Sequence, residues 1–457
     1  MDSTTKTIDS IFKAQSLAVV GASADPLKFG YMTMSSLLQG GYRGRLYPVN
    51  PKAEAIMGLK AYPSVSEVPD EIDCVVIIVP AKFVAGILRE SARKGAKGAI
   101  IQSAGFREAG RADLEQEIVR VARQLGLRLM GPNIQGINYL PNQMCAMFFP
   151  VIDLKGPLAV VTQSGTVTTA LGEWAAAEGL GISAAVNLGN QADICEADYI
   201  EYFAQDADTG AIAMYLESIK NGPRFLESLR RAAFVKPVAV LKAGRTSTGA
   251  RSAASHTGAM AGSHPVFEAA CRQFGAAVAE DLPTLYDKAK ALATLTPTGN
   301  RVVVISTSGG AATLAADEGE TLGLKFPGLP ADLKAALANL NLPPLAHLNN
   351  PIDLVSLDAE HFRQAARLVD RYAIADVILI SFGDPVAGGD VVVKDLAAAI
   401  RGRLAVSYMG GGSEETRSRF SIQRAGIPVF PSPERAVRGI AVAVWRAEYC
   451  RRKEAVR

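Results

Sequence analysis

The sequence predicts an α/β protein made of three doubly wound domains, and two patterns predict it. Continuous runs of Val, Ile, Leu and Ala recur at 17–20, 75–79, 99–101, 158–161, 211–215, 238–241, 302–305 and 377–380. Continuous rather than alternating apolar runs belong to strands buried on both faces of a parallel sheet. Helical patterns separate them, which makes βαβ units. Three runs open into small-residue turns followed by helical sequence: Gly21-Ala22-Ser23, Gln163-Ser164-Gly165-Thr166 and Ser306-Thr307-Ser308-Gly309-Gly310. Each turn starts a new sheet, which sets domains at 1–130, 131–296 and 297–457. Asn341 to Pro351 reads as a long loop of the third domain.

The 457 residues bury a large core without disulfides or metals. Hydrophobic residues at 49% and charged residues at 20% are ordinary for a globular protein. A net charge of +3, with no Lys/Arg track, argues against a nucleic-acid partner. Cys74, Cys145, Cys195, Cys271 and Cys450 form no CxxC pair, so neither a zinc site nor a disulfide framework is indicated. That usage fits a reducing compartment, and a cytoplasmic location is expected. No basic segment leads into an apolar one at the N-terminus, and no apolar run spans a bilayer, so neither a signal peptide nor a membrane partner is expected.

In the first domain, Val19-Val20-Gly21-Ala22-Ser23 is a strand meeting a turn and then a helix, whose free N–H groups suit a phosphate. The dinucleotide fingerprint fails: Ser23 stands where a second Gly is wanted and Pro26 where the third belongs. The second strand, Arg45 to Val49, ends in Asn50-Pro51-Lys52 rather than in the acid that holds an NAD ribose. Lys52 suits an extra phosphate, the 3′-phosphate of CoA or the 2′-phosphate of NADP; the competing reading is a solvated surface lysine. Two more strands end in Ile78-Val79-Pro80-Ala81 and Ile101-Gln102-Ser103-Ala104-Gly105-Phe106, at the carboxyl edge where ligands bind in this architecture. The first turn, the Pro48-to-Lys52 stretch, the Val79-Pro80-Ala81 loop, the Ser103-to-Phe106 loop and Gly131-Pro132-Asn133 together resemble the CoA-binding domain of succinyl-CoA synthetases. The resemblance implies a Rossmann-like domain that binds CoA through Gly21, Ala22, Ser23, Lys52, Val79, Pro80, Ser103, Ala104 and Gly105.

In the second domain, a strand ending at Leu241 runs into Lys242 to Gly262, a stretch of Gly, Ala, Ser and Thr with two Arg and His256. Nothing in it anchors a core, so it reads as a functional loop. Two helix N-termini are placed to hold a phosphate, at Ser164-Gly165-Thr166 and Ser308-Gly309-Gly310; the bland alternative is an ordinary cap. The pattern from Gly244-Arg245 through Ser255-His256-Thr257-Gly258 to Gly262 resembles the phosphohistidine loop of ADP-forming acyl-CoA synthetases, and the likeness extends over nearly the whole chain. It implies two flavodoxin-like, succinyl-CoA synthetase-type domains after the first. It also implies that His256 carries the phosphoryl group between the two helix ends and that Glu217, after the strand 211–216, orients it. Two positions depart from the family: Gln191 stands for its usual Lys, and Thr307-Ser308-Gly309-Gly310 for Asn-Ala-Gly-Gly.

The family reaction also needs an ATP-grasp domain for the Mg-nucleotide, ADP or GDP. Three domains of ordinary size account for these residues, and no Walker A pattern occurs. The resemblance therefore implies an α subunit with a separate ATP-grasp β subunit, as a heterotetramer. It interconverts acyl-CoA, NDP and phosphate with a small carboxylic acid, CoA and NTP. No metal ligands are assigned to this chain. The rivals are a silent CoA-sensing or scaffold protein of the same fold and an NADP oxidoreductase, the latter disfavoured by the broken fingerprint.

Overall fold

The computed structural model describes residues 3–148, 152–257, 262–400 and 402–455, with residues 253–257 as backbone only. Three large sheets hold most of the described strands, and Ala55–Ile56 pairs with Leu59–Lys60 in a small antiparallel fourth. The first is parallel, in the spatial order Arg45–Val49, Ser16–Val20, Cys74–Ile77, Gly98–Ile101 and Arg128–Met130. All four residues of Cys74–Ile77 and of Gly98–Ile101 are buried, which is why these runs carry no polar alternation.

The second sheet repeats that order in Ile182–Asn187, Lys155–Thr162, Ala211–Leu216, Val238–Lys242 and Ala276–Val278. It adds an antiparallel hairpin, Gly136–Tyr139 and Met144–Met147, along the Ile182–Asn187 edge. The helix Ser3–Phe12 buries Ile8, Ile11 and Phe12 in the same core. There the Phe12 ring stacks on Tyr139, with centroids 4.9 Å apart. In the third sheet Val302–Ser306 lies between Ile352–Asp353 and Val377–Phe382, followed by Leu404–Tyr408 and Val429–Phe430. The segment read as a long loop contributes one short edge strand, His347–Leu348.

By packing, the chain divides into two compact units: residues 1–176 with 181–279, and residues 177–180 with 280–457. The first unit holds the first two sheets. The second begins at Glu280 rather than at 297, because the helix Leu282–Thr294 packs on Pro433–Glu454. A buried ionic cluster ties that helix in. Lys290, fully buried, donates to Glu178 at 2.8 Å and to the Val429 carbonyl at 2.8 Å, while Arg435 forks onto Asp287 at 2.6 and 2.9 Å. A short Pro/Gly/Thr run is a good sign of a loop. Which sheet a helix covers is decided by partners far away in sequence.

Each large sheet therefore reverses strand order once, beside its first strand. In a doubly wound sheet that reversal opens a crevice at the carboxyl edge. No helix among the described residues is long and apolar enough to cross a membrane.

Candidate functional site

At the first reversal, the turn after Ser16–Val20 meets the turn after Cys74–Ile77. Gly21 has φ +90° and donates its N–H to the Val49 carbonyl at 3.0 Å. A Cβ there would collide with the Ile78 carbonyl, so the turns close only over glycine. Asn50 donates its side-chain amide to the Ala22 carbonyl at 2.8 Å and accepts the Lys52 N–H at 2.9 Å. Gly21, Ala22 and Ser23 thus share one edge with Lys52, which is exposed. The helix expected directly after Ser23 begins instead at Phe29. The Ser23 hydroxyl accepts the Asp25 N–H, and the Asp25 carboxylate accepts the Leu27 N–H, both at 3.0 Å. Side-chain-capped turns have replaced the first helical turn.

Val79, Pro80, Ser103 and Ala104 line a cavity of about 530 Å³ together with Ser164, Gly165 and Thr166. All seven lie in turns and loops singled out from the sequence, the last three some sixty residues beyond the others, and the fold brings them together. The Ser103 hydroxyl accepts the Val79 N–H at 3.0 Å and donates to the Ile77 carbonyl at 3.3 Å, which locks the two loops to each other. Gly21, Ala22, Ser23, Lys52 and Gly105 do not line this cavity. The Gly105 N–H is taken by the Glu108 carboxylate at 2.6 Å.

At the second reversal, the turn after Lys155–Thr162 meets the end of Ala211–Leu216. Thr162 holds the turn by donating its hydroxyl to the Ser164 carbonyl at 2.5 Å. The helix Gly165–Ala177 starts there, so its first N–H groups face the turn. Gln163 bridges the crevice. Its side-chain oxygen accepts the N–H groups of Glu217 and of Ser218, the latter at 2.8 Å, and its amide donates to the Ser218 hydroxyl at 3.2 Å. Glu217 is only 6% exposed. Burial pushes the neighbouring Tyr215 phenol up to about 12, and the charge of the Glu217 carboxylate and its hydrogen bond add to that. Asn187 accepts the Gln135 N–H at 2.8 Å and donates to the Thr162 carbonyl at 3.1 Å. Gln191 takes φ +52°, and its side chain accepts the Glu196 N–H at 3.0 Å.

The stretch read as a loop after Lys242 contains an α-helix, Ser247–Thr257. Ala250, Ala253 and Ala254 with Arg251 are good helix formers, and lack of core anchors does not prevent a surface helix. His256 lies on it, but its side chain is outside the described residues. In the second unit, the helix Gly309–Thr321 begins after Ser308 as expected, although the Ser308 side chain makes no cap bond. Asp353 stands beside this turn: its Oδ2 lies 3.0 Å from where a Cβ on Gly309 would sit. An anion at Ser308-Gly309-Gly310 therefore meets a like charge.

Gln163 and Asn187 also line the cavity. Missed were Gln102, which donates to the Gln135 and Ala146 carbonyls at 3.2 and 3.0 Å, and the stacked rings of Phe29 and Phe148, with centroids 4.3 Å apart, on the cavity wall. Gln102 stands in the loop 101–106 already singled out, but nothing in the local sequence marks Phe29 or Phe148. Among the described residues no group of His, Cys, Asp and Glu is placed to hold a metal ion.

Comparison with known proteins fits this geometry. The CoA binding domain family matches residues 15–140, and the succinyl-CoA ligase-like flavodoxin domain family matches residues 155–292. The α subunit of ADP-forming acetate–CoA ligase I of Pyrococcus furiosus is 39% identical, covering 97% of this chain and 99% of its own. The corresponding subunit of ligase II from the same organism is 36% identical over 93% and 95%. A solved structure titled dinucleotide forming acetyl-coenzyme A synthetase 1 of Ca. Korarchaeum cryptofilum, in complex with phosphate and ADP, superimposes with a TM-score of 0.91 at 34% identity, over 98% of this chain and 99% of that one. The chain belongs to the α-subunit family of the ADP-forming acyl-CoA synthetases, within the succinyl-CoA synthetase superfamily.

Proposed function

We propose that this chain is the CoA-binding and phosphohistidine subunit of an NDP-forming acid–CoA ligase, working with a separate ATP-grasp β subunit that holds Mg-ADP or Mg-GDP in a heterotetramer. One observation carries the reading: the CoA-edge loops and a helix N-terminus share a cavity whose floor is bonded, through Gln163, to the strand end bearing Glu217. The cavity lining has side-chain amides and hydroxyls and no charged residue, which suits an uncharged thioester and the amide-bearing arm of CoA.

In the acid-forming direction, a phosphate oxygen held at Ser164-Gly165-Thr166 attacks the thioester carbonyl. The C–S bond breaks and CoA leaves with its electron pair, to be protonated. A ring nitrogen of His256 then attacks the phosphorus of the acyl phosphate, the P–O bond to the acyl group breaks, and the carboxylate leaves. Glu217 accepts the hydrogen bond from the other ring nitrogen and stabilises the charge that grows on the ring. The partner's NDP finally attacks phosphorus and breaks the P–N bond. Positioning and charge stabilisation do most of this work. Ser308-Gly309-Gly310 is the weaker phosphate station, because Asp353 opposes an anion there.

Gln163 separates two contributions. Gln163→Ala leaves the Glu217 and Ser218 N–H groups without their acceptor, a cost of about 1–3 kcal/mol. The expected result in steady-state kinetics is a fall in kcat of roughly tenfold or more. Gln163→Glu keeps both acceptor bonds but turns a negative charge toward the phosphate, so the KM for phosphate rises instead. Equal effects of both variants on kcat alone would count against this assignment.

The reading as a whole is tested with the purified chain. Calorimetry is expected to show CoA binding by the chain alone. Lys52→Ala weakens CoA by about threefold, the scale of an exposed ion pair, and leaves dephospho-CoA unchanged. ATP-dependent thioester formation appears only when the ATP-grasp partner is added. Thioester synthesis by the chain alone, or NADPH binding in place of CoA, would refute it.

A further inference from the structure

We infer that the first unit carries a second ligand site, at Lys242, for a small monocarboxylate with an apolar body. Lys242 is the last residue of the strand Val238–Lys242 and is 2% exposed. Its ammonium makes one hydrogen bond among the described residues, to the carbonyl of its own neighbour Ala243 at 3.1 Å. No carboxylate among the described residues pairs with it. An ammonium has three N–H donors, and a buried charge is tolerated when it is paired. Desolvation lowers the Lys242 pKa, as it does for a buried amine without a counter-charge.

Lys242 is also one of the residues lining a cavity of about 320 Å³ whose walls include Ile219, Phe225, Leu226, Val266 and Phe267. The rings of Phe225 and Phe267 stack there with centroids 6.2 Å apart. This cavity shares no lining residue with the cavity of about 530 Å³. It lies at the carboxyl end of Val238–Lys242, one strand away from the reversal beside Lys155–Thr162.

The chemistry selects the ligand class. One ammonium in apolar walls neutralises one negative charge and covers an apolar body. A phosphate dianion or a dicarboxylate brings a second charge that no second cation among the described lining residues pairs, and a neutral ligand leaves Lys242 uncompensated. Val266, 68% exposed, stands on the solvent side and gives a route in. The site does not depend on the proposed catalytic centre, although an acid–CoA ligase handles ligands of this class.

The test is calorimetry on the full chain with phenylacetate as probe. Saturable one-to-one binding is expected, and it persists with CoA at saturation. The neutral isostere 2-phenylethanol and the dianion phenylmalonate bind at least roughly tenfold more weakly, the scale of one charge-assisted contact. Lys242→Met loses binding by the same factor. Val266→Trp, which fills the mouth and leaves Lys242 in place, also loses it; both variants keep CoA binding, which serves as the folding control. Absence of saturable binding, displacement of phenylacetate by CoA, or unchanged affinity in Lys242→Met or in a folded Val266→Trp would each overturn the assignment. Loss of catalysis in the intact complex bears on the proposed function and leaves this binding result standing.

Discussion

Replacing His256 by Asn is expected to abolish NTP formation in the complex with the partner subunit and to leave CoA binding intact. The amide nitrogen of Asn has no free electron pair to attack phosphorus, so no phosphoenzyme forms. The residues proposed to bind CoA, between Gly21 and Gly105, follow strands of the first sheet, whereas the helix Ser247–Thr257 that carries His256 follows a strand of the second. Exchange between phosphate and acyl-CoA, the step before His256 acts, is expected to survive in the variant. The other three histidines serve as controls. The His264 ring lies 4.0 Å from the Glu268 carboxylate, one turn along its helix. The His361 ring bonds the Ser356 hydroxyl at 2.7 Å. His347 sits exposed on a short edge strand. None lines the cavity, and substituting them is expected to leave turnover in place.

Glu217→Gln is expected to keep the fold and to slow phosphoryl transfer by on the order of a hundredfold or more, the scale of a positioned acid–base partner. Glutamine fills the same buried space and keeps the backbone N–H that Gln163 accepts. What it lacks is the charge that stabilises an imidazolium and the acceptor pair that fixes the ring tautomer. Rapid-quench measurement of phosphoenzyme formation checks this, with circular dichroism as the control for folding. A rate within about threefold of wild type would remove Glu217 from the mechanism, since that is the range of a lost surface contact.

The central strands of the three large sheets were legible in the sequence because parallel strands buried on both faces must be apolar throughout; shorter or edge strands such as Arg128–Met130, Ala276–Val278 and Val429–Phe430 were not named. The three small-residue turns were legible for a related reason. Each lies at a strand reversal where backbones approach closely, as the Ile78 carbonyl does at Gly21. The hairpin Gly136–Tyr139 and Met144–Met147 was not legible, because its residues carry neither long apolar runs nor a tight Asn-Gly turn. The start of Phe29–Gln39 was misplaced because Ser23 and Asp25 cap local turns, a competition that spacing alone does not resolve. The helix Ser247–Thr257 was read as a loop because helix formers without an apolar stripe resemble a linker. Gln163 owes its bonds to Glu217 and Ser218, more than fifty residues away, which no local pattern encodes. The strands of the three large sheets fall within 16–130, 136–278 and 302–430, while the packing of Leu282–Thr294 follows the second unit.

The most direct measurement is peptide mapping of the phosphoenzyme. The complex is labelled with radioactive phosphate plus acyl-CoA, or with γ-labelled ATP through the partner subunit, and then digested. The account predicts one acid-labile, base-stable label on the peptide that contains His256, absent in His256→Asn and slow to appear in Glu217→Gln. Label on another peptide, or full labelling of His256→Asn, would contradict it.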